Sequence, residues 1–372
     1  MTSTERTLIS VYKCPDGTDF PVAWEQPEDA QKKWVWEQEH APDPQKPLEL
    51  AIGKLTRPGA QRAFAEALVP TPALFRGGRI ANGFVFMPTE QLPPDEQQSL
   101  LEAAERLVER ESGVWQVWGR FSLPRIEAAS ASLRQADQDQ PLASLAELYG
   151  YGMRLTHVAG SHSLFAPVIQ KFVAFGNEIG LDGQRLFADM TQGHANATFE
   201  SNAVLWEIAA AADRCPAVRA TLLETDPAGA WDAIRALSGA QEFVVAFEAY
   251  LERYGCRAGS WGLGYPTWQE DPASPLRLVR RILEERPEPP EQALREGARR
   301  REAVIRGVEE RLGNDAARIA RFRKLAEPLA YYIPIREARA YWQLVLTGVM
   351  RALLLARGRS LVSSISLMMC ST

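Results

Sequence analysis

The chain has 372 residues and a mass of 41.4 kDa, more than one hydrophobic core usually organises, which predicts two or three packed units. Its composition, 46% hydrophobic and 24% charged, excludes wholesale disorder, a collagen-like fibre and a membrane bundle. Lysine and arginine number 42 against 47 acidic residues, a net charge of −5, so no overall basic field attracts nucleic acid or an anionic membrane.

The cysteines and the N-terminal residues indicate a reducing compartment. No C-x-x-C pair for zinc and no disulfide framework is found among the four cysteines, which are Cys14, Cys215, Cys256 and Cys370. The first residues lack a basic-then-apolar signal sequence, and Arg351 interrupts the most apolar run, at 342–355. We therefore expect a cytoplasmic protein without a membrane or nucleic-acid partner.

The N-terminal part predicts a short β element followed by a helix. β-prone residues precede Pro15–Gly17, which favours a hairpin or an extended arm. Proline and acidic residues at 27–29 predict the start of a helix that runs through Trp34 and Trp36 to His40.

A second β element is predicted at 79–87, where Ile80, Phe84 and Phe86 alternate within a glycine-rich stretch. Acidic residues after a proline pair then predict a new helix. Its apolar stripe is formed by Leu100, Ala104, Leu107 and Val108.

One later helix is predicted to end at Gly255, because glycine reaches the left-handed conformation without a Cβ penalty. The apolar face of this helix carries Val244, Phe247, Leu251 and Tyr254. The segment 256–268 that follows mixes glycines and a proline with bulky aromatic residues. It is too broken for regular structure and too apolar for a free linker, so we expect it to fold against another surface.

The C-terminal part predicts two more helices and an unusual tail. A proline-rich hinge at 285–290 precedes a long, charged and exposed helix at 292–312. A last apolar stripe at 341–356 ends before Gly358, and the tail from Ser360 has no helical period.

These patterns predict a mainly α fold, a multi-helix domain with a small β-hairpin element. We predict an N-terminal arm at 1–20, a helical domain at 21–359 with a sub-boundary near 285–291, and an atypical tail at 360–372.

The histidines and glycines supply no recognisable catalytic or metal motif. His157 and His162 are five residues apart, about 500° around a helix, and so do not share a face as paired ligands would. Ser161 beside His162 has no orienting carboxylate nearby in the sequence. The glycines at 77–78 and 259–264 fit neither phosphate-loop pattern. We therefore predict no catalytic residue and no metal ligand.

The segment 192–202 supports two interpretations. Its polar residues precede an apolar run, as in the N-terminal turn of a helix, so capping is one interpretation. In the other, His194 and Asn196 lie at a helix mouth, whose unpaired N–H groups favour an anionic or carbonyl ligand.

Aromatic residues and an arginine cluster around the segment that follows Gly255. Trp261 and Trp268 lie in a predicted loop rather than on a helix, and Arg257 lies between them and Tyr254. The planar guanidinium could bind a carboxylate or phosphate ligand, or it could pair with the carboxylates at 270–271. The sequence favours neither interpretation.

These same residues carry a family resemblance. The segment 247–257, which ends in Tyr-Gly-Cys-Arg, and the segment 265–272, which contains Trp-Gln-Glu-Asp-Pro, resemble the Y-G-x-R … W-x-E-x-P region of phosphoenolpyruvate-utilising enzymes. That group contains rifampicin phosphotransferase and phosphoenolpyruvate synthase. Segments at 24–40, 79–86, 197–207 and 335–337 agree in the same order, so the resemblance covers about 20–359.

The resemblance implies the helical substrate-binding region, which in relatives lies between an ATP-grasp domain and a mobile phosphohistidine domain. It implies ATP and magnesium as cofactors of the complete enzyme and none in this chain. The mobile histidine of relatives stands in T-x-G-G-x-x-S-H, a context shared by none of His40, His157, His162 and His194. We therefore expect both flanking domains to act in trans.

Two departures from the family pattern bear on this expectation. Relatives continue past a Gly-Arg-x-Leu like that at 358–361 into the histidine domain, so we expect a truncation or frameshift near Ser360. Relatives often carry an acidic residue in the loop after Y-G-x-R, and the segment 259–263 has none. This difference removes a candidate group for activating the acceptor.

We expect the substrate-binding portion of a phosphotransferase that lacks its phosphohistidine domain and binds a small, hydroxylated aromatic acceptor. The alternative is a non-enzymatic small-molecule-binding protein, or a partner subunit, derived from the same family. The predicted binding residues are His194, Asn196, Tyr254, Arg257, Trp261 and Trp268.

Overall fold

The computed structural model is mainly helical with small antiparallel sheets, which confirms the predicted fold class. The structure describes residues 10–13, 16–24, 26–38, 41–66, 78–89, 93–95, 97–99, 101–102, 122–128, 143–158 and 162–370.

The β structure forms two small sheets near the N-terminus. Strands β1 (Ser10–Lys13) and β2 (Asp19–Val22) pair as an antiparallel hairpin, which confirms the first β prediction. Strands β3 (Trp34–Trp36), β4 (Arg79–Ala81) and β5 (Phe84–Pro88) form the second sheet in the order β3-β5-β4. The predicted hairpin at 79–87 is therefore confirmed, and a third strand joins it.

The helix predicted from 27 to 40 is wrong beyond its first turn. Pro27–Gln31 forms a short 3₁₀ helix, and the chain then enters β3. Val35 pairs with Met87 of β5, while Trp34 turns inward and stacks on Trp24 with ring centroids 4.9 Å apart. Pairing with a distant strand overrides the local helical signal. His40 lies outside the described residues.

The helices occupy most of the remaining described chain, with a further helical segment at 122–128. We number those with defined bounds in chain order: α1 (Pro47–Glu66), α2 (Ala143–Met153), α3 (His162–Glu178), α4 (Gly183–Met190), α5 (Ala197–Arg214), α6 (Pro216–Glu224), α7 (Pro227–Arg235), α8 (Gln241–Tyr254), α9 (Ala273–Glu285), α10 (Pro290–Leu312) and α11 (Ala316–Cys370). A π-helical turn, Arg154–Val158, follows α2. Helix α10 is long and largely exposed, as predicted.

Helix α11 joins the two helical cores. Its first half packs into a cluster with α3, α4 and α10, centred on Phe172, Phe175 and Phe322. Its second half, at 341–350, packs into the larger cluster with α1, α2 and α5 to α9. A third, smaller cluster lies under the sheets. One helix therefore provides a common support for both helical cores.

The irregular segment from Cys256 to Glu270, which we call the aromatic loop, packs on α11. A Cβ at Gly348 of α11 would overlap the carbonyl oxygen of Cys256, so the two backbones touch. Beside this contact the amide of Ala258 donates to the carbonyl oxygen of Leu344 over 2.9 Å. The expectation that this segment folds against another surface is thus confirmed, and the surface is a helix of the same chain.

A second attachment holds the far end of the aromatic loop. Arg351 donates to both carboxylate oxygens of Glu270 at 2.9 Å and to the carbonyl oxygen of Leu263 at 2.8 Å. Glu270 also accepts from the amide of Thr267 at 2.8 Å. The Arg351 hydrogen bonds lower the pKa of Glu270 to about 2, with the Thr267 hydrogen bonds acting in the same direction against the effect of burial.

Two other predictions are corrected by the backbone. Gly255 has φ −76° rather than a left-handed conformation. A side chain there would overlap the carbonyl oxygen of Leu251, so glycine is required for space. Gly358 does not end the last helix, whose backbone continues through Cys370. The four residues of the predicted stripe, Leu100, Ala104, Leu107 and Val108, lie outside the described residues.

Within the described ranges, no helix combines the length and the apolar character needed to cross a lipid bilayer.

Replacing Gly348 with alanine should lower the free energy of unfolding by about 2–3 kcal/mol, because the new methyl group overlaps the Cys256 carbonyl and neither backbone has room to move. Gly307 on α10 is the matched control, since a Cβ there meets open space. G307A should raise stability by about 0.5–1 kcal/mol. Urea denaturation of the two variants checks this, and equal stabilities would contradict the close contact.

The Arg351–Glu270 contact should stabilise the chain in a pH-dependent way. The pKa of Glu270 falls from 4.5 to about 2 on folding, so the contribution is complete above pH 4.5 and is lost as the pH falls toward 2. We expect the difference in unfolding free energy between wild type and E270Q to be constant at higher pH and to shrink across this window. A double-mutant cycle with R351M, measured by denaturation at several pH values, isolates the pair.

Candidate functional site

The candidate site begins with a row of aromatic side chains on α8. Phe243, Phe247, Tyr250 and Tyr254 recur every three or four residues and are all buried. Successive ring centroids lie 5.8, 6.3 and 5.2 Å apart. The row therefore leads along one face of the helix to its C-terminal end, where the aromatic loop begins.

Arg257 lies at the end of this row, between two aromatic faces. Its guanidinium carbon is 3.3 Å from the ring centroid of Trp268 and 5.8 Å from that of Tyr341. Trp268 also stacks on Tyr250, with centroids 6.1 Å apart. We call Tyr250, Tyr254, Arg257, Trp268 and Tyr341 the Arg257 cluster. Its members come from α8, the aromatic loop and α11.

The electrostatic environment of Arg257 is unusual for a buried cation. The residue is 8% exposed, and its Nε atom is buried without a hydrogen-bond partner. Burial lowers its pKa, although a guanidinium remains charged at neutral pH. Buried charges are normally paired because removing an ion from water is costly. Among the residues the structure describes, no carboxylate pairs with Arg257.

The carboxylates that the sequence offered as partners are engaged elsewhere. Glu270 binds Arg351, and Asp271 accepts a hydrogen bond from Ser274 over 2.7 Å and lies 3.6 Å from Arg277. The structure therefore does not contain the ion pair between Arg257 and these acids, which was one of the two interpretations of the sequence.

The tyrosines of the cluster remain protonated at neutral pH and can act as hydrogen-bond donors. Burial raises the pKa of Tyr250 to about 12 and raises the pKa values of Tyr254 and Tyr341. The Tyr250 hydroxyl lies 2.9 Å from the hydroxyl of Ser201 on α5. This hydrogen bond connects the cluster to the helix that begins after Asn196.

His194 and Asn196 are held by local contacts. The side-chain oxygen of Asn196 accepts from the amide of Phe199 at 2.9 Å, so Asn196 caps α5. Nε2 of His194 lies 3.1 Å from the carbonyl oxygen of Met190, and burial together with Arg301 lowers the pKa of His194. Arg301 donates to the carbonyl oxygens of Gln192 and Gly193, which ties this segment to α10.

The six predicted binding residues thus fall into groups. Tyr254, Arg257 and Trp268 meet in the Arg257 cluster, and Asn196 starts the helix whose Ser201 bonds to that cluster. Trp261 is partly buried within the aromatic loop. Tyr341 was missed by sequence reasoning because it lies far along the chain and its local pattern indicates only a buried helix face.

In the described part of the chain, three cavities lie beside the predicted residues. One of about 300 Å³ separates the start of α1 from the aromatic loop, where Tyr265 donates to Asp43 and the amide of Gly264 donates to Glu49. Two others, of about 250 and 150 Å³, share Trp206 between α5 and α9. From the sequence, Trp206 was expected only to pack within the fold. The proline-rich segment opposite Trp206 has a restricted backbone, and this was the sequence feature that could have indicated the wall of a cavity.

A comparison with known protein families covers the Arg257 cluster except for Tyr341. Residues 160–337 match the family model of the rifampicin phosphotransferase fourth domain. The chain is also 28% identical over 287 residues to chondramide synthase cmdD of Chondromyces crocatus. That alignment covers 72% of this chain and 7% of the synthase, so the chain spans a small part of that relative's length.

The family match agrees with the resemblance inferred from the Y-G-x-R and W-x-E-x-P residues, all of which lie inside the matched range. It also includes α3 to α10 and the start of α11. The chain contains a rifampicin phosphotransferase fourth-domain region over residues 160–337.

Proposed function

We propose that this chain is the acceptor-binding part of a phosphotransferase and that the phosphoryl-carrying histidine belongs to another protein segment. In such a division, the P–N bond of a phosphohistidine breaks and a P–O bond to an acceptor hydroxyl forms. The hydroxyl proton passes to the released imidazole, so no base in this chain is required. The acceptor site must hold the hydroxyl in place and exclude water while the histidine is present.

The observation that carries this proposal is the unpaired guanidinium of Arg257. Its cost of burial is offset only in part by the ring faces of Trp268 and Tyr341. A guanidinium that stacks through its face keeps its N–H groups at the edge, where they can bind the oxygen atoms of a ligand. An anionic or hydroxylated aromatic acceptor would supply those oxygen atoms.

The surrounding groups support the same ligand chemistry. Tyr250 and Tyr254 are protonated donors, and the ring of Trp268 holds the Arg257 guanidinium in place beside them. We propose that Trp261 closes the site from the aromatic loop and that His194 and Asn196 lie at its edge.

The proposed cofactors and partners lie outside this chain. Among the described residues, no group of three or more His, Cys, Asp or Glu side chains is placed to hold a metal ion. We assign ATP and magnesium to an ATP-grasp domain and the transferred group to a phosphohistidine domain, both acting in trans, as the family resemblance implies. The similarity to a small part of a large synthase is consistent with a unit that works alongside other domains.

Phosphoryl transfer should require all three parts. We expect that the chain, mixed with an ATP-grasp domain and a phosphohistidine domain of a rifampicin phosphotransferase, with ATP and magnesium, will phosphorylate a hydroxylated aromatic compound. Mass spectrometry of a panel that begins with 4-hydroxybenzamide would detect the added phosphoryl group. Mixtures that lack any one part should give none. Product from the chain alone, or phosphate on one of its own histidines, would contradict the proposal.

Binding should depend on Arg257. The full chain should bind 4-hydroxybenzoate more tightly than the neutral 4-hydroxybenzamide, and R257M should weaken 4-hydroxybenzoate binding about tenfold or more, because a hydrogen bond to a charged group is lost. R257M should also leave the free energy of unfolding unchanged or raise it, since removing the buried unpaired charge outweighs the lost stacking.

Arg253 is the matched control for this experiment. It is exposed, and its guanidinium carbon lies 4.9 Å from the Tyr254 ring centroid. R253M should therefore leave both affinities unchanged in isothermal titration calorimetry. If R257M unfolds the protein while binding in R257K is unaffected, Arg257 is a structural residue and the proposal fails.

A further inference from the structure

A cleft between α5 and α9 is separate from the Arg257 cluster. It consists of the two cavities that share Trp206, Ile282 and Pro287, with volumes of about 250 and 150 Å³. Its floor is apolar and includes Leu205, Leu278 and Ile282. We call this region the Trp206 cleft.

Trp206 forms the centre of the cleft. The side chain is only partly buried, and its Nε1 atom donates to the carbonyl oxygen of Pro287 over 3.4 Å. This hydrogen bond fixes the ring beside both cavities. A large aromatic surface held in a fixed orientation next to open space is suited to stacking against a flat ligand.

The opposite wall, residues 286–290, is rigid and locally strained. Arg286 has φ +50°, a conformation that non-glycine residues rarely adopt. It is held there by two hydrogen bonds to Asp213, one of them 3.0 Å from Nη2 to Oδ1. Pro287, Pro289 and Pro290 restrict the rest of the segment. Strained and fixed backbone of this kind is common in ligand clamps.

The charges at the larger cavity favour a cation. Arg281 is neutralised by Glu285, whose carboxylate lies 2.8 Å from it. Glu288 also lines the cavity, is exposed, and has no ion-pair partner within the described ranges. An ammonium group can therefore reach Glu288 while an aromatic ring lies against Trp206.

We propose that the Trp206 cleft binds a planar aromatic compound that carries an ammonium group. The ring packs against the face of Trp206, over the apolar floor and beside Pro287, and the ammonium group pairs with Glu288. This site is independent of the proposed phosphotransfer, because its residues and its charge preference differ from those of the Arg257 cluster.

The test uses the full chain labelled with 5-fluorotryptophan and ¹⁹F NMR, with W206F identifying the Trp206 resonance. Tryptamine, indole and indole-3-acetate are the probes, since they share one ring system and differ in charge. We expect tryptamine to shift the Trp206 resonance and to bind more tightly than indole, and indole more tightly than indole-3-acetate. E288Q should weaken tryptamine binding about two- to fivefold and leave indole unchanged.

E284Q is the matched control, because Glu284 lies on α9 four residues before Glu288, is paired with Arg280 and does not line the cleft. It should bind all three probes like wild type, as should R257M. An unmoved Trp206 resonance, or equal binding of tryptamine and indole-3-acetate, would overturn the proposal. Failure of phosphoryl transfer in the reconstituted system would leave this result unaffected, so the two proposals can be separated.

Discussion

The close approach of α11 to the aromatic loop determines the chemistry of the candidate site. Gly348 allows the helix backbone to touch the carbonyl of Cys256, and the Ala258 amide bonds to Leu344 beside it. This contact places Tyr341 next to Arg257, although the two residues are far apart in the sequence. Without it, Arg257 would have only Trp268 as cover and would be hydrated. The buried cation is therefore a consequence of backbone packing on α11.

In the Arg257 cluster, weak cation–π contacts offset only part of the large desolvation penalty for burying the guanidinium. A guanidinium on a desolvated aromatic face gains roughly 2 kcal/mol, whereas the effective penalty for a buried ion is several kcal/mol. The protonated phenols around it remove the option of a phenolate counter-ion at neutral pH. Other interactions of the fold must therefore offset the remaining desolvation penalty of Arg257. The two attachments of the aromatic loop to α11 are among these interactions. A ligand oxygen would relieve this imbalance, which is why an unpaired buried charge points to binding.

Local periodicity predicted the elements whose burial depends on near neighbours. The hairpin of β4 and β5 follows from spacing, and Asn82 and Gly83 supply the positive φ values that the tight turn requires. On α8 only Phe247 and Tyr254 of the predicted face are buried, and Phe243 and Tyr250 complete the buried row in place of Val244 and Leu251. The same reasoning failed for Trp34 and Trp36, because pairing with β5 decides their strand conformation. At the site, the aromatic loop was identified from its composition. The contacts that Tyr341 and Arg351 make with this loop could not be predicted, because both residues lie far along the chain and no local sequence pattern indicates such contacts.

Helix α5 separates two regions of opposite charge preference. Ser201 bonds to Tyr250 of the Arg257 cluster, and Trp206, five residues later, lines the cleft beside α9. Five residues turn a helix by about 500°, so these side chains point about 140° apart. One face of α5 therefore contacts Tyr250 of the Arg257 cluster, where we propose an oxygen-rich, anionic ligand, while another faces a cavity lined by Glu288. A compound suited to one region is repelled by the other, so charge alone would keep two ligands of similar ring size apart.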